Sequence, residues 1–182
     1  MLKLQGRDIY LATLEREHCK QLWNDYEYDW ANPTEPPNLG HSAEGADAWF
    51  DEIHKAQGQR HLRLGIFLND SAVIGDVALQ DIDRANRCCT VGMGIARLAN
   101  RGKGYGQQAL ALILDYGFRF LGLERVSAST LAPNTGARRS LEKAGFVLEG
   151  TERAAVYLDG RKVDRLNYAL LRDEWNTMRN AS

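Results

Sequence analysis

Three alternating runs follow one another in the middle of the chain and then give way to a helix. They are HLRLGIFLND (His61–Asp70), AVIGDVALQDI (Ala72–Ile82) and CCTVGMGIA (Cys88–Ala96). Their apolar residues recur at a spacing of two, which marks half-buried strands. Only short polar turns, NDS and DRANR, separate them, so sequential strands must pair antiparallel. Past RGKGYG (Arg101–Gly106) the period lengthens, and YGQQALALILDYGFRFLG reads as a helix. Its apolar residues Ala109, Leu110, Leu112, Ile113, Leu114, Tyr116 and Phe120 cover more than one face, which predicts a largely buried helix. A meander that feeds such a helix has to cover its sheet with it, which is an α+β architecture.

The flanking segments extend this plan. Asp8–Leu14 is a strand, and Glu15–Tyr26 has helical spacing at Cys19, Leu22, Trp23 and Tyr26. The proline-rich stretch EYDWANPTEPPNLGHS (Glu27–Ser42) is a loop, and Ser42 caps the helix that follows it, whose apolar face is Ala46, Trp49, Phe50 and Ile53. Leu123–Thr130 is a strand, and Asn134–Phe146 is a helix closed at Gly145. The segment from Phe146 to Trp175 is a closing hairpin turned at Asp159–Gly160, a favoured type I′ pair. No repeat or linker interrupts residues 1–182, so a single domain is expected.

Composition narrows the function. A net charge of −1 gives no electrostatic reason to bind nucleic acid or a membrane surface. No apolar run is long enough to span a bilayer, and no signal-peptide core opens the chain. The cysteines, Cys19, Cys88 and Cys89, fit neither a disulfide framework nor a zinc spacing, so reduced thiols and a cytoplasmic setting are expected. His54 and His61 lack a third nearby ligand, so no metal is expected.

The glycine segment carries the chemistry. N–H groups at a helix N-terminus are unpaired and bear partial positive charge, and glycines let an anion come close. With Arg101 and Lys103 beside them, they suit a phosphate or diphosphate. The run G-x-x-x-x-G-K-[ST] is absent, and GKGYGQ does not satisfy G-x-G-x-x-G within a βαβ unit. A glycine-rich helix entry that binds nothing is the plain alternative.

Arg101-Gly-Lys-Gly104-Tyr-Gly106 has the form R/Q-x-x-G-x-G/A after a strand and before a long helix. It resembles the acetyl-CoA diphosphate loop of the GCN5-related N-acetyltransferase superfamily. NTGARRSLEKAGFVLEG is similar to the N-x-x-[SA]-x-x-x-[LY]-E-K-x-G-F segment of the same superfamily. Asp164, in GRKVDRLNYALLRDEW, stands where the ribosomal-protein and polyamine acetyltransferases tend to carry an acid, and LQGRDIYLATLEREHCKQL resembles that subgroup. The resemblance runs from about Leu4 to Trp175. It implies an α/β/α sandwich, a mixed twisted sheet with helices on both faces and two central strands splayed at the cofactor. It implies acetyl-CoA as cosubstrate and a possible homodimer. The pantetheine arm would pair with Gly94, Ile95, Ala96 and Arg97. The diphosphate would meet the N–H groups of Arg101, Gly102, Lys103, Gly104, Tyr105 and Gly106, and Asn134 would face the pantetheine across the splay.

The implied chemistry is direct attack of an amine on the thioester. The N–H of Ile95 would polarise the carbonyl. Leu141 stands where many relatives carry an acidic tyrosine, which leaves Ser140 as a candidate participant, and Ala137 removes another serine found in the subgroup. Asp76, flanked by apolar strand residues, is the candidate base. Alternation places it with Ile74, Ala78 and Gln80, opposite Val77, Leu79 and Asp81. The acceptor would enter beside NDYEYDWANPTEPP, where Tyr26, Tyr28, Asp29 and Trp30, with Asp25, Glu27 and Glu35, suit a cationic amine. A solvated acidic loop whose rings cover the core is the other reading of that stretch. A non-catalytic acyl-CoA-binding module and a nucleotide-binding domain are the competing functions.

Overall fold

The computed structural model describes residues 2–37 and 42–180. In chain order the elements are β1 (Lys3–Gln5), β2 (Ile9–Thr13), α1 (Arg16–Asn24), α2 (Ala43–Ala56), β3 (Leu62–Leu68), β4 (Val73–Asp83) and β5 (Cys88–Ile95). A short 3₁₀ turn (Leu98–Asn100) precedes α3 (Tyr105–Arg119). Then come β6 (Arg125–Leu131), α4 (Thr135–Lys143), β7 (Val147–Leu158), β8 (Arg161–Leu171) and α5 (Arg172–Asn180). The predicted loop Glu27–Ser42 contains no helix or strand where it is described, and its residues 38–41 lie outside the described residues.

The strands make one sheet in the order β1-β2-β3-β4-β5-β6-β8-β7. The predicted meander is part of its first half, all antiparallel. Among the described residues, only β5 and β6 are neighbouring strands that run parallel, because α3 crosses between them. Period-two alternation sorts side chains to the two faces. Ile9 and Leu11 of β2, with Leu64 and Ile66 of β3, join Leu110, Ile113 and Phe118 of α3 in the larger core. Ala12 and Phe67 turn the other way and pack with Cys19, Leu22, Trp49 and Phe50 beneath α1 and α2. Each fully buried Leu, Ile or Phe of α3 contributes about 1.5–3 kcal/mol, so this helix is anchored along its whole length.

Ser42 caps α2 as expected, its Oγ accepting the Gly45 N–H at 3.1 Å. Asp159 and Gly160 both have positive φ, 48° and 74°, as a type I′ turn requires. Three expectations need correction. The closing hairpin ends at Leu171, and Arg172–Asn180 is a helix whose Trp175 plugs the core. A short strand, β1, precedes the first expected one. Ile74 does not share a face with Asp76. Ile66 pairs with Gly75 and Phe67 with Val73, which leaves Ile74 as the extra residue of a bulge. The bulge resets the alternation and sends Ile74 into the core with Val77 and Leu79.

Candidate active site

The sheet comes apart at the parallel junction of β5 and β6. β5 and β6 pair at Cys88–Arg125, Cys89–Val126 and Thr90–Ser127, and then stop. β5 continues to Ile95 on β4 alone, and β6 continues to Leu131 on β8 alone. Among the described residues, the stretch from Val91 to Ile95 therefore has one edge with no strand beside it. The Ala96 N–H donates to Ile74 O on the β4 side at 2.9 Å. Alternation then turns the N–H and C=O of Ile95 into the gap. An unpaired edge of this kind takes an extended ligand as it would take a strand. Gly94 is exposed, and a Cβ built on it meets nothing within 4 Å.

The gap opens onto the glycine loop. Gly102 and Gly104 have φ of 74° and 82°, the left-handed region, and Gly104 is the N-cap of α3. A Cβ at Gly104 meets no atom within 4 Å, so backbone conformation, not crowding, demands glycine there. Among the described residues, the N–H groups of residues 102–106 donate no hydrogen bond. They gather at the positive end of a 15-residue helix, an arrangement suited to an anion. Lys103 is exposed beside them. Arg101 turns inward, its Nε donating to Ile95 O and its Nη2 to Glu27 O, both at 3.1 Å. Arg97 is ion-paired with Asp25 at 2.6 Å.

Across the gap, Asn134 caps α4, its Oδ1 accepting the Ala137 N–H at 3.0 Å. Its Nδ2 has no partner among the described residues and is free to donate. Ser140 lies half-buried on α4, and its hydroxyl makes no hydrogen bond among the described residues. Leu141 is 6% exposed and packs in the main core. Asp164 serves the architecture of the last hairpin, where its Oδ1 accepts the Ala154 N–H at 2.8 Å. This bond pins a bulge in β7 where Ala154 has φ 54°.

Asp76 sits on β4 opposite Gly94 of the splayed strand. Its carboxylate accepts a hydrogen bond from the Arg63 guanidinium on β3. Burial pushes its pKa up, and the Arg63 charge opposes that rise. Sequence spacing could not reveal Arg63 as its partner, because cross-strand neighbours depend on register. Gly75 is a second residue that spacing missed: a Cβ there would overlap the carbonyl oxygen of Gly94. Only glycine lets β4 approach the splayed strand so closely, and a glycine inside an apolar strand run was the available signal.

The acceptor side is less free than its composition suggests. Asp25 is held by Arg97, and the Glu27 carboxylate accepts the Leu98 N–H at 2.7 Å. Asp29 accepts from the backbone of Ala31 and Asn32, so it shapes its own turn. Tyr28 donates to Glu35 O at 2.7 Å and meets Trp30 edge-on, with ring centroids 4.6 Å apart. Trp30 is 74% exposed, whereas Tyr26 is half-buried. The Tyr28 hydroxyl has a raised pKa, from burial first, then from Tyr26, Glu35, Asp159 and Asp29. The carboxylates of Glu35, Asp159 and Asp29 add to this rise, so the β7–β8 turn contributes acidic charge beside the acceptor loop.

A splayed parallel pair with a helix-capping glycine loop at its mouth is an arrangement suited to an extended, anion-bearing ligand laid across the sheet. Residues 9–147 match the family model described as an acetyltransferase (GNAT) domain, and the chain belongs to that family of acetyltransferases. It is 30% identical over 191 residues to "Probable N-acetyltransferase YjcK" of Bacillus subtilis (strain 168), covering 92% of this chain and 96% of that one. It is 24% identical over 150 residues to the spermidine N(1)-acetyltransferase of Vibrio cholerae, covering 76% and 86%. The fold is that of Mycobacterium smegmatis RimJ in complex with CoA-disulfide, with a TM-score of 0.80 and 22% identity over 95% of this chain and 88% of that one.

Proposed function

We propose that this N-acetyltransferase moves an acetyl group from acetyl-CoA to a primary amine: a protein N-terminus, a polyamine or an amine-bearing antibiotic. The observation that carries the reading is the end of the β5–β6 ladder after three residue pairs. Beyond it, the pantetheine arm would add to the free edge of β5 near Gly94 and Ile95, with Asn134 Nδ2 opposite. The diphosphate would rest on the N–H groups of residues 102–106. The Ile95 N–H faces the gap, as an oxyanion donor must. The amine attacks the thioester carbon, the C–S bond breaks, and the acetyl group passes to nitrogen. The CoA thiolate leaves and takes up a proton.

Asp76 is the proposed route for the amine proton. Its raised pKa suits a base, and its place opposite Gly94 is one strand from the reacting end. The carboxylates of Glu35, Asp159 and Asp29 beside the Tyr28 ring support a cationic acceptor on that side. Turnover on a panel of spermidine, peptides with varied N-termini, aminoglycosides and free amino acids, followed by thiol release, tests this. One amine class turns over, and kcat rises with pH through the titration of Asp76. Asp76→Asn loses that limb of the profile and about 10²-fold or more in kcat. An Asp76→Asn enzyme with an unchanged pH profile removes Asp76 as the base. Tight cofactor binding without turnover on any class removes the proposed acceptors.

A further inference from the structure

Glu27 joins the cofactor side of the molecule to the acceptor side through three separate hydrogen bonds. Its backbone N–H donates to Ala96 O at 3.0 Å. Its carboxylate accepts the Leu98 N–H at 2.7 Å. Its carbonyl accepts from Arg101 Nη2 at 3.1 Å. All three partners lie in residues 96–101, between the splayed end of β5 and the glycine loop, about seventy positions along the chain. The same Arg101 side chain donates through Nε to the carbonyl of Ile95, at the edge where β5 has no strand partner. One arginine thus spans the splayed edge and Glu27. The neighbouring Asp25–Arg97 pair, at 2.6 Å, adds a second tie. Immediately after Glu27 come Tyr28, Asp29 and Trp30, the proposed acceptor residues.

The geometry points to Glu27 as a positioning residue: through it, a ligand seated on the edge of β5 fixes the acceptor loop. The inference rests on the proposed function for the identity of that ligand. Its physics is direct. The Ile95–Arg101 segment offers no strand pairing of its own on the gap side, and adding an extended ligand there restricts its motion. Glu27 shares three bonds with that segment, so residues 26–32 lose freedom with it. Acceptor and cofactor sites coupled in this way bind cooperatively, because the first ligand meets the ordering cost for the second. The three bonds of Glu27 go to Ala96, Leu98 and Arg101, and the effect passes through them.

Amide hydrogen exchange with and without CoA tests this without needing the acceptor. In the wild-type protein, CoA slows exchange in residues 102–106 and, by about 10-fold, in residues 26–32. In Glu27→Ala, which removes the carboxylate bond to Leu98 and keeps the two backbone bonds, CoA protects residues 102–106 as before, and protection of 26–32 falls to about 3-fold. Glu27→Gln, whose amide oxygen still accepts the Leu98 N–H, restores most of the wild-type protection. Protection of 102–106 in the wild type with no change at 26–32 overturns the coupling and leaves the cofactor reading intact. Equal protection of 26–32 in wild type and Glu27→Ala overturns the role of the Glu27 carboxylate. No protection at 102–106 overturns the cofactor reading and the coupling with it.

Discussion

Two of the three thiols sit where solvent cannot reach them. Cys19 is 0% exposed and Cys89 is 4% exposed. Burial pushes both thiols up to about 12, since a thiolate in an apolar setting loses its hydration. At pH 8 only about one in 10⁴ of such a group is thiolate, far less than for a free cysteine near ~8.5. Iodoacetamide at pH 8 is therefore expected to modify at most Cys88 in the native protein and all three thiols in denaturant. Rapid native labelling of Cys19 or Cys89, read by peptide mass, would contradict the packing beneath α1 and in the main core. Side-chain partnerships at this scale were the least legible part of the sequence. Asp76–Arg63, Asp25–Arg97 and Glu27–Leu98 join residues from different elements, and no local period records such pairs.

At the scale of elements, the tight approach of β4 to β5 rests on Gly75. A Cβ that overlaps a backbone oxygen cannot be relieved by a side-chain rotation, so one of the two strands has to move. Gly75→Ala is expected to cost about 1–3 kcal/mol in urea unfolding, as overpacking does. It should also weaken cofactor binding, because the strand it displaces carries the free edge. An alanine variant with unchanged stability and affinity would show that this contact is not restrictive. The elements themselves were legible where their period is strong, as in the meander and in α3. The helix α5 was not, because RDEWNTMRN is short and polar and buries only Trp175, so it reads as the tail of the preceding strand. The bulge at Ile74 was equally hidden, since one extra residue changes no composition yet moves a side chain to the other face.

For the whole molecule, the α+β plan followed from the switch of period between Ala96 and Tyr105. The splay did not. The residues of β5 run as one strand from Cys88 to Ile95, and nothing in them says that pairing with β6 ends at Thr90. Only the resemblance of RGKGYG and NTGARRSLEKAGF to acetyltransferase motifs anticipated the gap. The glycine loop shows the reverse balance: its positive-φ glycines and open N–H groups could be argued from helix-terminus chemistry alone.

The central claim is that this loop, at the mouth of the splay, holds the diphosphate of the cofactor. Calorimetric titration of CoA into the wild-type protein, Gly104→Asp and Gly104→Asn tests it most directly. Asparagine tolerates the left-handed conformation at φ 82° and adds no charge, so it reports any strain common to both variants. The account predicts that Gly104→Asp loses CoA affinity by about 10²-fold or more, with Gly104→Asn much closer to wild type. Equal affinities for wild type and Gly104→Asp would contradict it, and would remove the diphosphate from the N-terminus of α3.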